Sequence, residues 1–161
     1  MFSKLSKLLY SENRISQGLL LLRLGIGLSF MAHGYPKLFM GGAAYLAGAM
    51  AKAGIPGGIL GAYLAGSAEF FGGIALAAGI LFLPTALIMA FNMFVALFFH
   101  LNSGDPFIAY SHALESLILF GALAISGPGR YSLDRLLFCR QREEECTGMG
   151  KVFTHPVSHA V

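Results

Sequence analysis

The stretch that decides the fold is Gly18–Phe39, GLLLLRLGIGLSFMAHGYPKLF, which is apolar enough for lipid yet carries Arg23, His33 and Lys37. At about 1.5 Å rise per residue, a helix of roughly 20 residues crosses the hydrocarbon core. A secretory signal peptide has a shorter apolar region, about 7–15 residues, and ends at a small-residue cleavage site. Here the run closes on His33-Gly34-Tyr35-Pro36-Lys37, so the stretch reads as a retained helix. Each charge inside such a helix costs about 2.5–3.5 kcal/mol on insertion scales, so Arg23 and His33 should face protein rather than lipid.

Working outward, the 161 residues are 56% hydrophobic and only 12% charged, with a mean hydropathy of +0.69, too apolar for a small soluble globule. The expected fold class is therefore all-α: an integral membrane bundle of four spanning helices. Residues 1–136 form the transmembrane domain, and residues 137–161 a polar, disordered cytoplasmic tail. The first ten residues could add one interfacial turn, and Ser16 is the expected cap of the first span.

Residues 40–57, MGGAAYLAGAMAKAGIPG, are too broken by glycine and proline to span and predict a short interfacial helix. The second span covers residues 58–83, with Glu69 near its middle on a stripe with Gly61, Ala65 and Gly73 that lets a neighbour approach. Pro84 opens the third span, residues 85–101, which carries Asn92 and His100 and pairs antiparallel with the second. After the turn Asn102-Ser103-Gly104-Asp105-Pro106, the fourth span, residues 107–126, brings His112 and Glu115 onto one face until Gly127-Pro128-Gly129 stops it.

Lys4, Lys7, Arg14, Arg130, Arg135, Arg140 and Arg142 flank the outermost spans, against Lys37 and Lys52 on the other side. The positive-inside rule then puts both termini in the cytoplasm, as expected for a bacterial inner-membrane protein. The net charge of +3 carries no basic-aromatic surface, so nucleic acid is excluded as a partner. Cys139 and Cys146 have neither a redox nor a zinc spacing and read as reduced tail thiols.

His33, Lys37, His100, His112 and Glu115 converge on the outer part of the bundle, with Glu69 about midway, and three chemistries could use the set. His33, His100, His112 and Glu115 are donors suited to iron, copper or zinc. His33 with His100 or His112 could ligate haem. A quinone or small redox molecule would use His33, Glu69 and His100 as proton-handling groups, with Lys37, His112 and Glu115 also in its binding pocket. Phe30, Phe70, Phe71, Phe98, Phe99 and Phe107 are available as its walls. Quinone is the leading cofactor. In the competing reading these groups only pin helices together: Glu69 pairs with Arg23 or His33, Lys37 snorkels, Asn92 bonds a neighbouring helix, and Arg130 and Asp134 form an interfacial pair. Gly57-x-x-x-Gly61 would permit a homo-oligomer or a partner subunit to associate.

Arg23-Leu24, His33-Gly34, Lys37-Leu38-Phe39, Gly54-Ile55-Pro56, Glu69-Phe70-Phe71-Gly72-Gly73, His100 and the closing Gly127-Pro128-Gly129-Arg130-Tyr131-Ser132-Leu133-Asp134 resemble the DoxX family over about residues 17–136. The resemblance implies a four-helix inner-membrane protein similar to the small membrane subunit of thiosulfate:quinone oxidoreductase, and so a link to the quinone pool and to oxidative stress. It also implies that His33, Lys37, Glu69 and His100 are the family's recurrent polar positions. The alternative function is a non-catalytic subunit that anchors a partner oxidoreductase.

Overall fold

The computed structural model describes residues 11–139, and among these all regular structure is helical. The helices are α1 (Glu12–Phe39), α2 (Gly42–Lys52), α3 (Gly58–Ala78), α4 (Phe82–Asn102), α5 (Phe107–Ser126) and α6 (Leu133–Cys139). Four of them, α1, α3, α4 and α5, are long and apolar enough to cross a membrane. The outer surface agrees: Leu21 is 74% exposed, Phe91 67% and Ile125 90%, large apolar side chains suited to contact with lipid. At about 1.5 Å per residue the eleven residues of α2 reach roughly half the hydrocarbon thickness, so α2 does not span. The expected turn within residues 1–10 and the reading of the tail from residue 140 fall outside the described residues.

Packing in lipid gains nothing from apolarity alone, and helices associate where small residues let backbones meet. The α1–α3 pair is built this way. A Cβ at Gly27 would stand 2.6 Å from the Gly73 carbonyl oxygen, and one at Gly73 2.5 Å from that of Gly27. About two turns further on, Gly34 lies against the backbone of Gly66 and Phe70, so the two helices run antiparallel in close contact. The buried stripe on α3 is Ala62, Gly66, Glu69, Gly73 and Leu76, one residue round from the expected Gly61–Ala65 edge. Gly61 and Gly57 instead face Met50 of α2, which occupies the surface expected to serve association.

Connections of three and four residues fold α4 back on α3 and α5 back on α4. Phe30, Leu76, Phe82, Ala86, Met89, Met93, Phe120 and Leu123 fill the centre. Ala43, Met50 and Ala62 form a second, smaller cluster that seats α2 on α3. The α4 helix starts two residues before Pro84, which its first turn tolerates because those N–H groups have no intrahelical acceptor.

Arg23, Asp134 and Arg130 lock the end of the bundle where α1 begins and α5 ends. Arg23 is 1% exposed and donates to the carbonyls of Pro128, Tyr131 (2.9 Å) and Ala77 (3.4 Å), with the Phe82 ring 5.8 Å from its guanidinium carbon. Ala77 lies at the negative end of the α3 dipole, where a cation is stabilised. Gly79 must be glycine here: its φ is +72°, and a Cβ would stand 2.7 Å from both Arg23 Nη1 and Ser132 Cβ. Asp134 does not pair with Arg130. Its two carboxylate oxygens accept the N–H groups of Leu81 and Phe82, each at 2.8 Å, and so cap α4 from the far end of the chain. Arg130 instead donates to Asn13 Oδ1 at 2.7 Å. Ser16, expected as a cap, is buried inside α1, and its hydroxyl accepts the Arg130 N–H at 3.4 Å.

Candidate functional site

At the opposite end of the bundle lies a partly open cavity of about 140 Å³ lined by Phe30, His33 and Lys37 of α1, Glu69 of α3, Met93, Ala96 and His100 of α4, and Ala109, His112 and Ala113 of α5. Five of the six expected binding residues therefore share one space. Glu115 does not line it; the side chain is exposed on α5 beyond His112.

The deepest group is Glu69, whose side chain is 5% exposed. Lys37 Nζ donates to both of its oxygens, at 2.5 and 2.6 Å, and Asn92 Nδ2 to one of them at 3.3 Å. Neither Arg23 nor His33 is the partner, and Lys37 does not snorkel. The reason is the direction of the Cα–Cβ bond, which tilts toward a helix's N-terminus. Lys37 stands near the C-terminal end of α1, so its side chain is launched back down the bundle, past Gly66, where its Cβ has room only because that residue has none. The result is a bidentate ion pair bridging α1 and α3, with α4 adding a hydrogen bond.

One wall is aromatic. The His112 ring stacks on Phe30 (5.6 Å, 19°), His33 stands 5.1 Å from His112, and Phe120 meets Phe30 edge-on at 4.9 Å. These rings span the seam between α1 and α5, whose backbones stay apart, and both histidines are exposed at its mouth. Of the expected apolar walls only Phe30 lines the cavity. Phe70 and Phe71 point the other way and cluster with Tyr35 and Phe39 on the outer surface. Phe98 and Phe107 are exposed, and Phe99 meets His100 edge-on.

His100 has a partner that the sequence reading passed over as turn composition. Its Nδ1 lies 2.7 Å from Asp105 Oδ2 in the α4–α5 loop. The same loop is tied to the end of α2 by Asn102, which donates to the Ala53 carbonyl at 2.8 Å.

Among the described residues, no three histidine, cysteine, aspartate or glutamate side chains assemble into a group able to hold a metal ion. Of the four expected donors, His33, His100 and His112 line the cavity, with His33 and His112 facing each other and His100 bonded to Asp105, while Glu115 is exposed outside it. The cavity also bears on haem. A void of about 150 Å³ accommodates a benzene ring. A porphyrin is several times larger than this space.

Residues 18–102 match the DoxX family model, just over half of the chain. The chain belongs to the DoxX family. The matched span contains His33, Lys37, Glu69 and His100, whereas Asp105, His112 and the closing motif from Gly127 lie beyond it. The chain is also similar to inner membrane protein YqjF of Escherichia coli (strain K12), at 35% identity over 126 residues that cover 74% of this chain and 92% of the relative. No solved structure matches it. With four spanning helices and this kinship, the DoxX chain is a multi-pass inner-membrane protein.

Proposed function

We propose that this chain is the quinone-binding membrane subunit of an oxidoreductase, taking the ring of a quinone into the cavity between α1, α3, α4 and α5. The observation that carries the reading is the match of space to chemistry. The volume is that of one six-membered ring, the Phe30 and His112 rings offer a face to stack on, and Lys37, Glu69 and three histidines supply donors and acceptors for ring oxygens. Reducing a quinone takes two electrons and two protons. A partner oxidoreductase supplies the electrons, and the polar groups of this chain handle the protons.

The test is organic extraction of the protein freshly purified in mild detergent, together with titration by a short-tail quinone. Stoichiometric quinone in the wild type and its loss in Ala96→Phe, which fills the cavity, supports the proposal. A quinone-free protein, or binding unchanged in Ala96→Phe, refutes it.

One observation favours a second reading. Lys37, Glu69 and Asn92 satisfy one another without any ligand, as they would in a non-catalytic subunit that anchors a partner and uses the network only for packing. In that case exchange of Glu69 weakens assembly in detergent and changes no small-molecule binding.

A further inference from the structure

The loop residue Asp105 has no part in either reading above, yet it makes the shortest contact to any cavity histidine. We infer that Asp105 is a positioning residue that fixes His100 in one tautomer and so makes Nε2 the nitrogen of that ring through which it exchanges protons. The inference deepens the quinone reading and rests on it for the identity of the proton acceptor.

The geometry is directional. An ionised carboxylate can only accept, so the ring nitrogen 2.7 Å from Asp105 Oδ2 must carry a hydrogen, and Nδ1 is that nitrogen. In the neutral ring the remaining nitrogen, Nε2, then carries the lone pair, on a ring that lines the cavity. His100 also lies at the boundary between two environments. Its side chain is 29% exposed and that of Asp105 is 36% exposed, so the pair reaches water on one side and the cavity on the other. The ionisable groups that share this space are Lys37 and His33 on α1, Glu69 on α3 and His112 on α5. Lys37 and Glu69 already neutralise each other, which leaves His100 as the cavity group whose hydrogen bonding is set by a carboxylate outside the cavity.

The resulting step balances. Nε2 takes a proton from hydronium, releasing water, and the imidazolium is held by Asp105. The Nε2–H bond then breaks as an O–H bond forms on the quinone oxygen, reduced by the partner's electrons, and the ring returns to its neutral Nδ1–H form. An asparagine at position 105 would remove this control, because its amide can donate to Nδ1 as readily as accept from it and would release the other tautomer.

The experiment uses the full chain in detergent micelles, labelled with ¹⁵N-histidine, with the His100 resonances assigned by their loss in His100→Gln. The wild type is expected to show the Nδ1–H tautomer. Asp105→Asn should lose it while the other histidine resonances and the helical circular dichroism stay in place, and Asp105→Glu should restore it. A short-tail hydroquinone, whose O–H donates to Nε2, should shift the His100 Nε2 resonance in the wild type and bind about tenfold more weakly to Asp105→Asn, the loss of roughly one hydrogen bond. An Nε2–H tautomer in the wild type, or a tautomer unmoved by Asp105→Asn, overturns the inference. The Nδ1–H tautomer with no response to hydroquinone upholds Asp105 as the positioning group and overturns the quinone reading instead.

Discussion

Removal of the two halves of the Lys37–Glu69 pair should have unequal costs, and the structure sets the order. In Lys37→Met the Glu69 carboxylate keeps one hydrogen bond, the 3.3 Å contact from Asn92, in a site where its side chain is only 5% exposed. A buried charge stripped of its partner destabilises by about 3–5 kcal/mol. In Glu69→Met the orphan is Lys37, whose side chain is 29% exposed and whose flexible stem can bring the ammonium to water. The loss there is confined to the interactions themselves, about 1–2 kcal/mol after allowing for solvent screening. The double variant Lys37→Met/Glu69→Met replaces the pair with apolar side chains of similar length and should fall within about 1 kcal/mol of the wild type. The three variants therefore do not add, with an interaction energy above about 3 kcal/mol between the two sites. The assay is unfolding by sodium dodecyl sulfate in mixed micelles, followed by circular dichroism. A Glu69→Met protein as unstable as Lys37→Met, or a double variant as unstable as the sum of the two, would refute the argument that the carboxylate is the stranded partner.

The close approach of α1 and α3 predicts that Gly27→Ala or Gly73→Ala lowers stability in the same assay by about 1–3 kcal/mol, because the new methyl meets a backbone carbonyl that cannot turn aside. Gly25→Ala, with nothing within 4 Å, is the control and should be neutral or slightly stabilising. Asp134→Ala should cost about 0.5–2 kcal/mol through loss of the α4 cap, with faster amide exchange at Leu81 and Phe82 as the local signature. Arg23→Lys should not rescue Arg23→Met in a thermal melt, since a single ammonium cannot serve three carbonyls as the planar fork does.

The spans were legible because membrane thickness imposes a length and lipid imposes a composition, both of which can be read from residues 18–39 onward. The turn at Gly127 and the convergence of His33, Lys37, Glu69, His100 and His112 were legible for the same reason: the alternating direction of four spans fixes the depth of each residue. Partnership was not legible, because it depends on rotation about the helix axis and on the side chain's launch direction. That is why Glu69 pairs with Lys37 rather than Arg23 or His33, and why Phe70 and Phe71 face outward although their neighbour Glu69 faces in. Glu115 illustrates the limit: three residues from His112 puts it on the same general face, but the cavity is narrower than that face. Asp105 and Asp134 act across loops and between elements far apart in sequence, where local pattern carries little signal. A histidine at a helix end followed within five residues by an aspartate in a tight turn is the cue that would have pointed to the first.

The Arg23 lock also has a consequence for how the protein is made. Arg23 is synthesised early, while the carbonyls of Pro128 and Tyr131 that receive its guanidinium come 105 and 108 residues later. At about 5–20 residues per second, roughly 5–20 seconds separate the two. During that interval the first helix holds a charge without these two partners, and water or a lipid phosphate at the membrane surface must serve in their place. Insertion of the four helices and completion of the bundle are thus separate events. A ribosome halted anywhere before Asp134 would leave a membrane-inserted chain with this end of the bundle unfastened, which quality-control proteases could tell apart from the finished protein.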